Sequence, residues 1–74
     1  MTLRQAVAAT AAELTAATAA YGSFNSAHEG YAVILEEMDG LWDEVKRQNS
    51  DAEAMRHEAI QAAAMCLRFL IDLC

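Results

Sequence analysis

At the head of each of three runs a Ser or Thr is followed three residues later by Glu or Gln: Thr2 and Gln5, Ser26 and Glu29, Ser50 and Glu53. This is the signature of a capping box. The hydroxyl accepts a backbone N–H of the first helical turn, and the acid or amide reaches back to the N–H of the capping residue. Each box opens a run with helical periodicity, and none of the 74 residues is a proline whose ring would interrupt a run. The pattern predicts an all-α chain: one domain over residues 1–74, with helices at about 3–20, 27–48 and 51–73. The connections are short, which predicts antiparallel packing of neighbouring helices.

The first helix carries a heptad-like seam of Leu3, Val7, Thr10, Leu14, Ala17 and Tyr21. Its many alanines favour the helix and let a neighbour approach closely. Gly22 stands where a C-terminal cap is expected. On the second helix, Tyr31, Ile34, Leu35, Met38, Leu41, Trp42 and Val45 fall on one face, and Asp43 with Arg47 forms an i,i+4 pair. Gly40 sits in the middle of that helix, where glycine costs about 1 kcal/mol relative to alanine. Something other than helix propensity selects it.

The third helix is polar at its start and apolar nearly all round from Ala59 to Leu73. A helix apolar on every side needs cover on every side, and two other helices cannot supply it. A domain this short buries only about 60% of the surface of its unfolded chain. The reading is therefore a three-helix antiparallel chain that completes its bundle with copies of itself, as a homodimer or homotetramer.

The net charge of −6 comes from eleven acids and five bases. Arg4, Lys46, Arg47, Arg56 and Arg68 make no stripe, which argues against a nucleic-acid partner. Cys66 and Cys74 lie eight apart with no second pair, which fits no zinc motif. Cys66 reads as a small core residue and the compartment as reducing, hence cytoplasmic. No basic segment precedes an apolar one as in a signal peptide. The Ala59–Leu73 stretch is interrupted by Gln61, Arg68 and Asp72 and is too short to span a bilayer, so no membrane is expected.

No glycine-rich phosphate loop or nucleophile signature is present. What remains is carboxylates on helices. Glu37 lies at the edge of the apolar stripe, Glu44 follows two turns later, and Glu58 immediately precedes the apolar half of the third helix. Antiparallel packing would bring Glu37 and Glu58 together, and carboxylates from facing helices are what a magnesium ion bound to phosphates needs. Taken one at a time, such acids are more often solvated flank charges. His28 reads as a helix-start residue. His57 either orients Glu58 or pairs with Glu53. Tyr31 and Trp42, at helical spacing with Leu35 and Met38, read as core rather than as base-stacking groups.

The stretch from Ser26-Ala27-His28-Glu29-Gly30-Tyr31 through Glu36-Glu37, followed by Glu58-Ala59-Ile60-Gln61-Ala62-Ala63-Ala64-Met65, resembles the MazG-like all-α nucleoside triphosphate pyrophosphohydrolases. That family shows E-x-x-D on one helix after E-E-x-x-E on the preceding one. The resemblance covers residues 26–73. It implies a metal set of Glu36, Glu37, Glu58 and Gln61 for Mg2+ or Mn2+, with Glu37 and Glu58 as catalytic groups. It also implies hydrolysis of a nucleoside triphosphate to the monophosphate and pyrophosphate. Two positions depart: Gly40 replaces the third Glu, and Gln61 replaces the Asp with a neutral carbonyl. The alternative expectation is a non-catalytic oligomeric interaction module that keeps the helical fold.

Overall fold

The structure, a computed structural model, describes residues 1–74. Three helices make up nearly all of it: α1 over Leu3–Tyr21, α2 over Ala27–Val45 and α3 over Ala52–Leu73. There are no strands, and no helix is long and apolar enough to cross a membrane.

The caps explain where the helices start. Thr2 forms the full reciprocal box, accepting from Gln5 N at 3.1 Å while its own N–H donates to Gln5 Oε1 at 2.9 Å. Ser26 accepts from Glu29 N at 3.1 Å, but the Glu29 carboxylate turns outward to Asn25, taking its backbone N–H and its side-chain amide. The third box is not used. Asp51 caps α3 instead, accepting from Glu53 N at 3.0 Å. An ionised carboxylate one residue closer to the helix outcompetes the Ser50 hydroxyl.

The second helix ends at Val45 rather than near Gln48. The Lys46 N–H is shared between Trp42 O and Glu44 O, so the last turn tightens and stops. Gly22 ends α1 at φ +73°, a left-handed value that its missing side chain permits, and its N–H bonds Thr18 O.

The packing order departs from the expected one. α3 packs against both other helices, while α1 and α2 do not pack on each other. α2 runs antiparallel to α3, with Gly30 beside Phe69 and Leu73 and Gly40 beside Glu58. α1 runs parallel to α3, its C-terminal end tied to Arg68 and Asp72. The core is small: Ala17, Phe24, Ala64 and Met65, flanked by Leu14, Val33, Ile34, Phe69 and Leu73.

Gly30 makes that core possible. A β-carbon there would lie 2.7 Å from Phe69 Cδ2, so only glycine lets the ring press onto the α2 backbone without a shift.

Three expectations about burial are corrected. Leu3, Val7 and Tyr21 of the α1 seam are exposed, and the seam engages only at Thr10, Leu14 and Ala17. The wide apolar face of α2 is split. Ile34 and Leu41 turn toward α3, while Tyr31, Leu35, Met38, Trp42 and Val45 stay in solvent. Cys66 is exposed as well, because α3 buries only the sides that meet α1 and α2. Only seven of 74 residues are buried.

One end of the bundle is held by charge. Arg68 is 5% exposed. Its guanidinium lies 4.1 Å over the Phe24 ring, donates to Gly22 O, and stands 3.9 Å from Asp72 Oδ2. Asp72 in turn accepts from Phe24 N at 2.9 Å. The pair therefore ties the α1–α2 connection to α3 through backbone groups that would otherwise be unpaired.

Candidate functional site

Because α1 and α2 touch α3 but not each other, an open groove of about 440 Å3 lies between them. Met65, Gln61 and Arg68 of α3 form its floor, Glu13, Ala17 and Tyr21 one wall, and Glu29, Val33, Glu36 and Glu37 the other. Three of the four residues implied as metal ligands, Glu36, Glu37 and Gln61, therefore line one groove. Glu58 does not line it. Its carboxylate sits at the foot of the α2 wall, where a β-carbon at Gly40 would be 2.6 Å from Oε2.

This contact gives Gly40 a physical role. A glycine mid-helix is unfavourable, but here the missing side chain leaves the space that the Glu58 carboxylate occupies. Position 40, where the resembling family carries its third Glu, thus faces Glu58 directly. Glu58 and Glu37 are near neighbours, as the antiparallel arrangement requires.

The electrostatics agree. Burial pushes the Glu37 carboxyl above its ordinary value of 4.5, and the charges of Glu58, Glu36 and Glu13 push it further, against a smaller opposing effect of His57. His57 alone offsets them in part. The four ion pairs of the structure commit Lys46 to Asp43, Arg47 to Glu44, Arg56 to Glu53 and Arg68 to Asp72. Two of these replace the expected pairings, since Arg47 takes Glu44 rather than Asp43, and Glu53 takes Arg56 rather than His57.

Glu13, Glu36, Glu37 and Glu58 take part in none of these pairs. The donor set, carboxylates with an amide carbonyl, suits a hard divalent cation. As the side chains stand, no group of three or more His, Cys, Asp or Glu is arranged to hold a metal ion.

The chain matches no protein-family model, no curated protein and no solved structure.

Two groove residues escaped the sequence reading. Glu13 is the only acid on α1, set among alanines and threonines, and that isolation was the available signal. Arg68 is the lone base in the apolar half of α3, four residues before Asp72. His28, Tyr31 and Trp42 are exposed and line no part of the groove.

A raised carboxyl has a direct consequence for stability. Glu37 holds its proton more tightly in the folded chain than in the unfolded one. Its contribution is fully present below the ordinary value of 4.5 and is lost as pH rises through the raised value. We expect Glu37→Gln to melt higher than the parent protein at neutral pH without metal, with the difference vanishing in acid. Thermal melts by circular dichroism across pH measure this. A glutamine variant less stable than the parent at neutral pH would contradict the strained cluster.

Proposed function

We propose that the groove is a divalent-cation-dependent site for a nucleoside triphosphate, and that the chain is a cytoplasmic pyrophosphohydrolase of the MazG-like type. The observation that carries this reading is the set of Glu13, Glu36 and Glu37 lining one groove with Glu58 close to Glu37, opposed only by His57 while Lys46, Arg47, Arg56 and Arg68 pair elsewhere. Such a cluster attracts a cation from solution. Glu36, Glu37 and Glu58 would hold it, with the Gln61 carbonyl in support.

When bound, Mg2+ or Mn2+ would neutralise phosphate charge and polarise the reacting phosphoryl group. A carboxylate of the cluster, Glu37 or Glu58, would orient the attacking water and take its proton. Water would add to the α-phosphorus, the bond from it to the α–β bridging oxygen would break, and pyrophosphate would leave. The groove's shape favours a ligand that lies along α3, with the buried Arg68 at one end of the floor.

A second reading, a non-catalytic helical interaction module, is favoured by the missing carboxylate at Gly40 and by the apolar surface on α2 and α3. One titration separates the two. Mg2+ and then Mn2+ are added with a panel of triphosphates while thermal stability and pyrophosphate release are followed together. A ligand bound only by the native state must raise its melting temperature. The pyrophosphohydrolase reading expects a rise with metal and nucleotide, accompanied by turnover. A rise without turnover would leave a binding site but no enzyme. The absence of any rise would favour the interaction module.

A further inference from the structure

We propose that the exposed stripe of α2 is the seat of a second copy of this chain, laid antiparallel along the same stripe of its partner. Tyr31, Leu35, Met38, Trp42 and Val45 follow one another at spacings of four, three, four and three. This alternation keeps a seam facing one partner helix in a coiled coil. All five side chains are in solvent, Tyr31 at 64% and Trp42 at 59% exposure, and none is charged. By the 100° helical step the seam lies on the far side of α2 from Glu36 and the groove wall, so pairing leaves the groove open. The inference holds whatever the groove binds.

With ordinary side-chain sizes, the five residues expose about 600 Å2 per copy, so pairing covers at most about 1,200 Å2, the lower edge of the range of specific interfaces. The need is also present, because a chain with seven buried residues has little core of its own.

Orientation follows from side-chain volume. Antiparallel seams place each residue of one set opposite the other set, giving layers of Trp42 on Tyr31 and Met38 on Leu35, each occurring twice about the two-fold axis, with Val45 beyond the last layer opposite the partner's position 28. Their sizes step smoothly from aromatic ends to an aliphatic middle. A parallel pair would stack Trp42 on Trp42 and Val45 on Val45, crowding one layer and leaving the next underfilled. Antiparallel helices also set each C-terminus beside the other's N-terminus, where their dipoles attract.

Trp42, the single tryptophan, reports the contact. Its emission should shift to the red on dilution, in step with dissociation seen by sedimentation. Leu35→Glu should raise the dissociation constant by at least about 30-fold, the weight of one interface hot spot. Leu35 is exposed in the single chain, so circular dichroism should show the helices retained. If folding proves coupled to association, cross-linking decides. Chains carrying Leu35→Cys, mixed with chains carrying Met38→Cys and with Cys66 and Cys74 replaced by serine in both, should yield the mixed disulfide on oxidation.

The proposal would be overturned by a folded monomer at high micromolar concentration, a dimer indifferent to Leu35→Glu, or disulfides formed only between like chains. A monomer whose seam instead captures a different protein would also overturn it.

Discussion

Arg68→Ala is expected to unfold the protein at room temperature, or to lower its melting temperature by at least about 12 °C. Removing one member of a buried ion pair costs about 3–5 kcal/mol, because the remaining charge keeps its desolvation penalty without its partner. Here Asp72 would be that stranded charge, and Gly22 O and the Phe24 ring would lose their cation in the same step. In a domain this small each kcal/mol shifts the midpoint by about 4–8 °C. The double variant Arg68→Met with Asp72→Asn should recover most of the loss. It removes both charges but keeps an oxygen to accept from Phe24 N. Melts at one fixed protein concentration measure both. An Arg68→Ala chain that melts within a degree or two of the parent would show that the clamp carries no weight.

The second large effect concerns Gly40, and it should change sign with metal. Gly40→Glu puts a fifth carboxylate against Glu58, beside an already strained Glu37. The proper comparison is Gly40→Gln, which has the same bulk and nearly the same helix propensity. Without metal, the Glu variant should be less stable than the Gln variant by about 1 kcal/mol, the repulsion of one added charge in a partly exposed site. With millimolar Mg2+ or Mn2+ the order should reverse, because only the Glu variant gains an anionic oxygen facing Glu58. If both variants respond identically to metal in thermal melts, position 40 is a packing site and the carboxylates do not act together toward a cation.

The three helices were legible in the sequence because each announces its start with a short polar side chain and because no residue forbids a helix between them. Ser50 misled by one position, since Asp51 beside it is the stronger acceptor. The end of α2 was harder. Lys46-Arg47-Gln48-Asn49 are compatible with a helix and with its termination, and only the shared Lys46 N–H decides.

The faces were misread for a specific reason. Tyr31 through Val45 form a stripe wider than one helix can cover, so part of it had to face elsewhere. The glycines carried the missing information. Gly30 and Gly40 both lie on the side where α3 comes closest, and a sequence reading that treated them as contact markers would have turned α2 correctly. The nearness of Glu37 and Glu58 was legible from the antiparallel α2–α3 pairing. The contribution of Glu13 was not, because it depends on α1 lying along α3 instead of α2.

That arrangement makes α1 an outrigger. It touches α3 but not α2, and Thr10, Leu14, Ala17 and the Arg68 clamp moor it. Yet α1 supplies one whole bank of the groove. The width of the groove is thus set by the contacts of α1 with α3 and by the Arg68 clamp on Gly22, and not by the hairpin that carries Glu36, Glu37, Glu58 and Gln61. The position of α1 on α3 thus fixes how near Glu13 comes to the other acids, whereas the spacing of Glu36, Glu37 and Glu58 depends on the α2–α3 pairing alone.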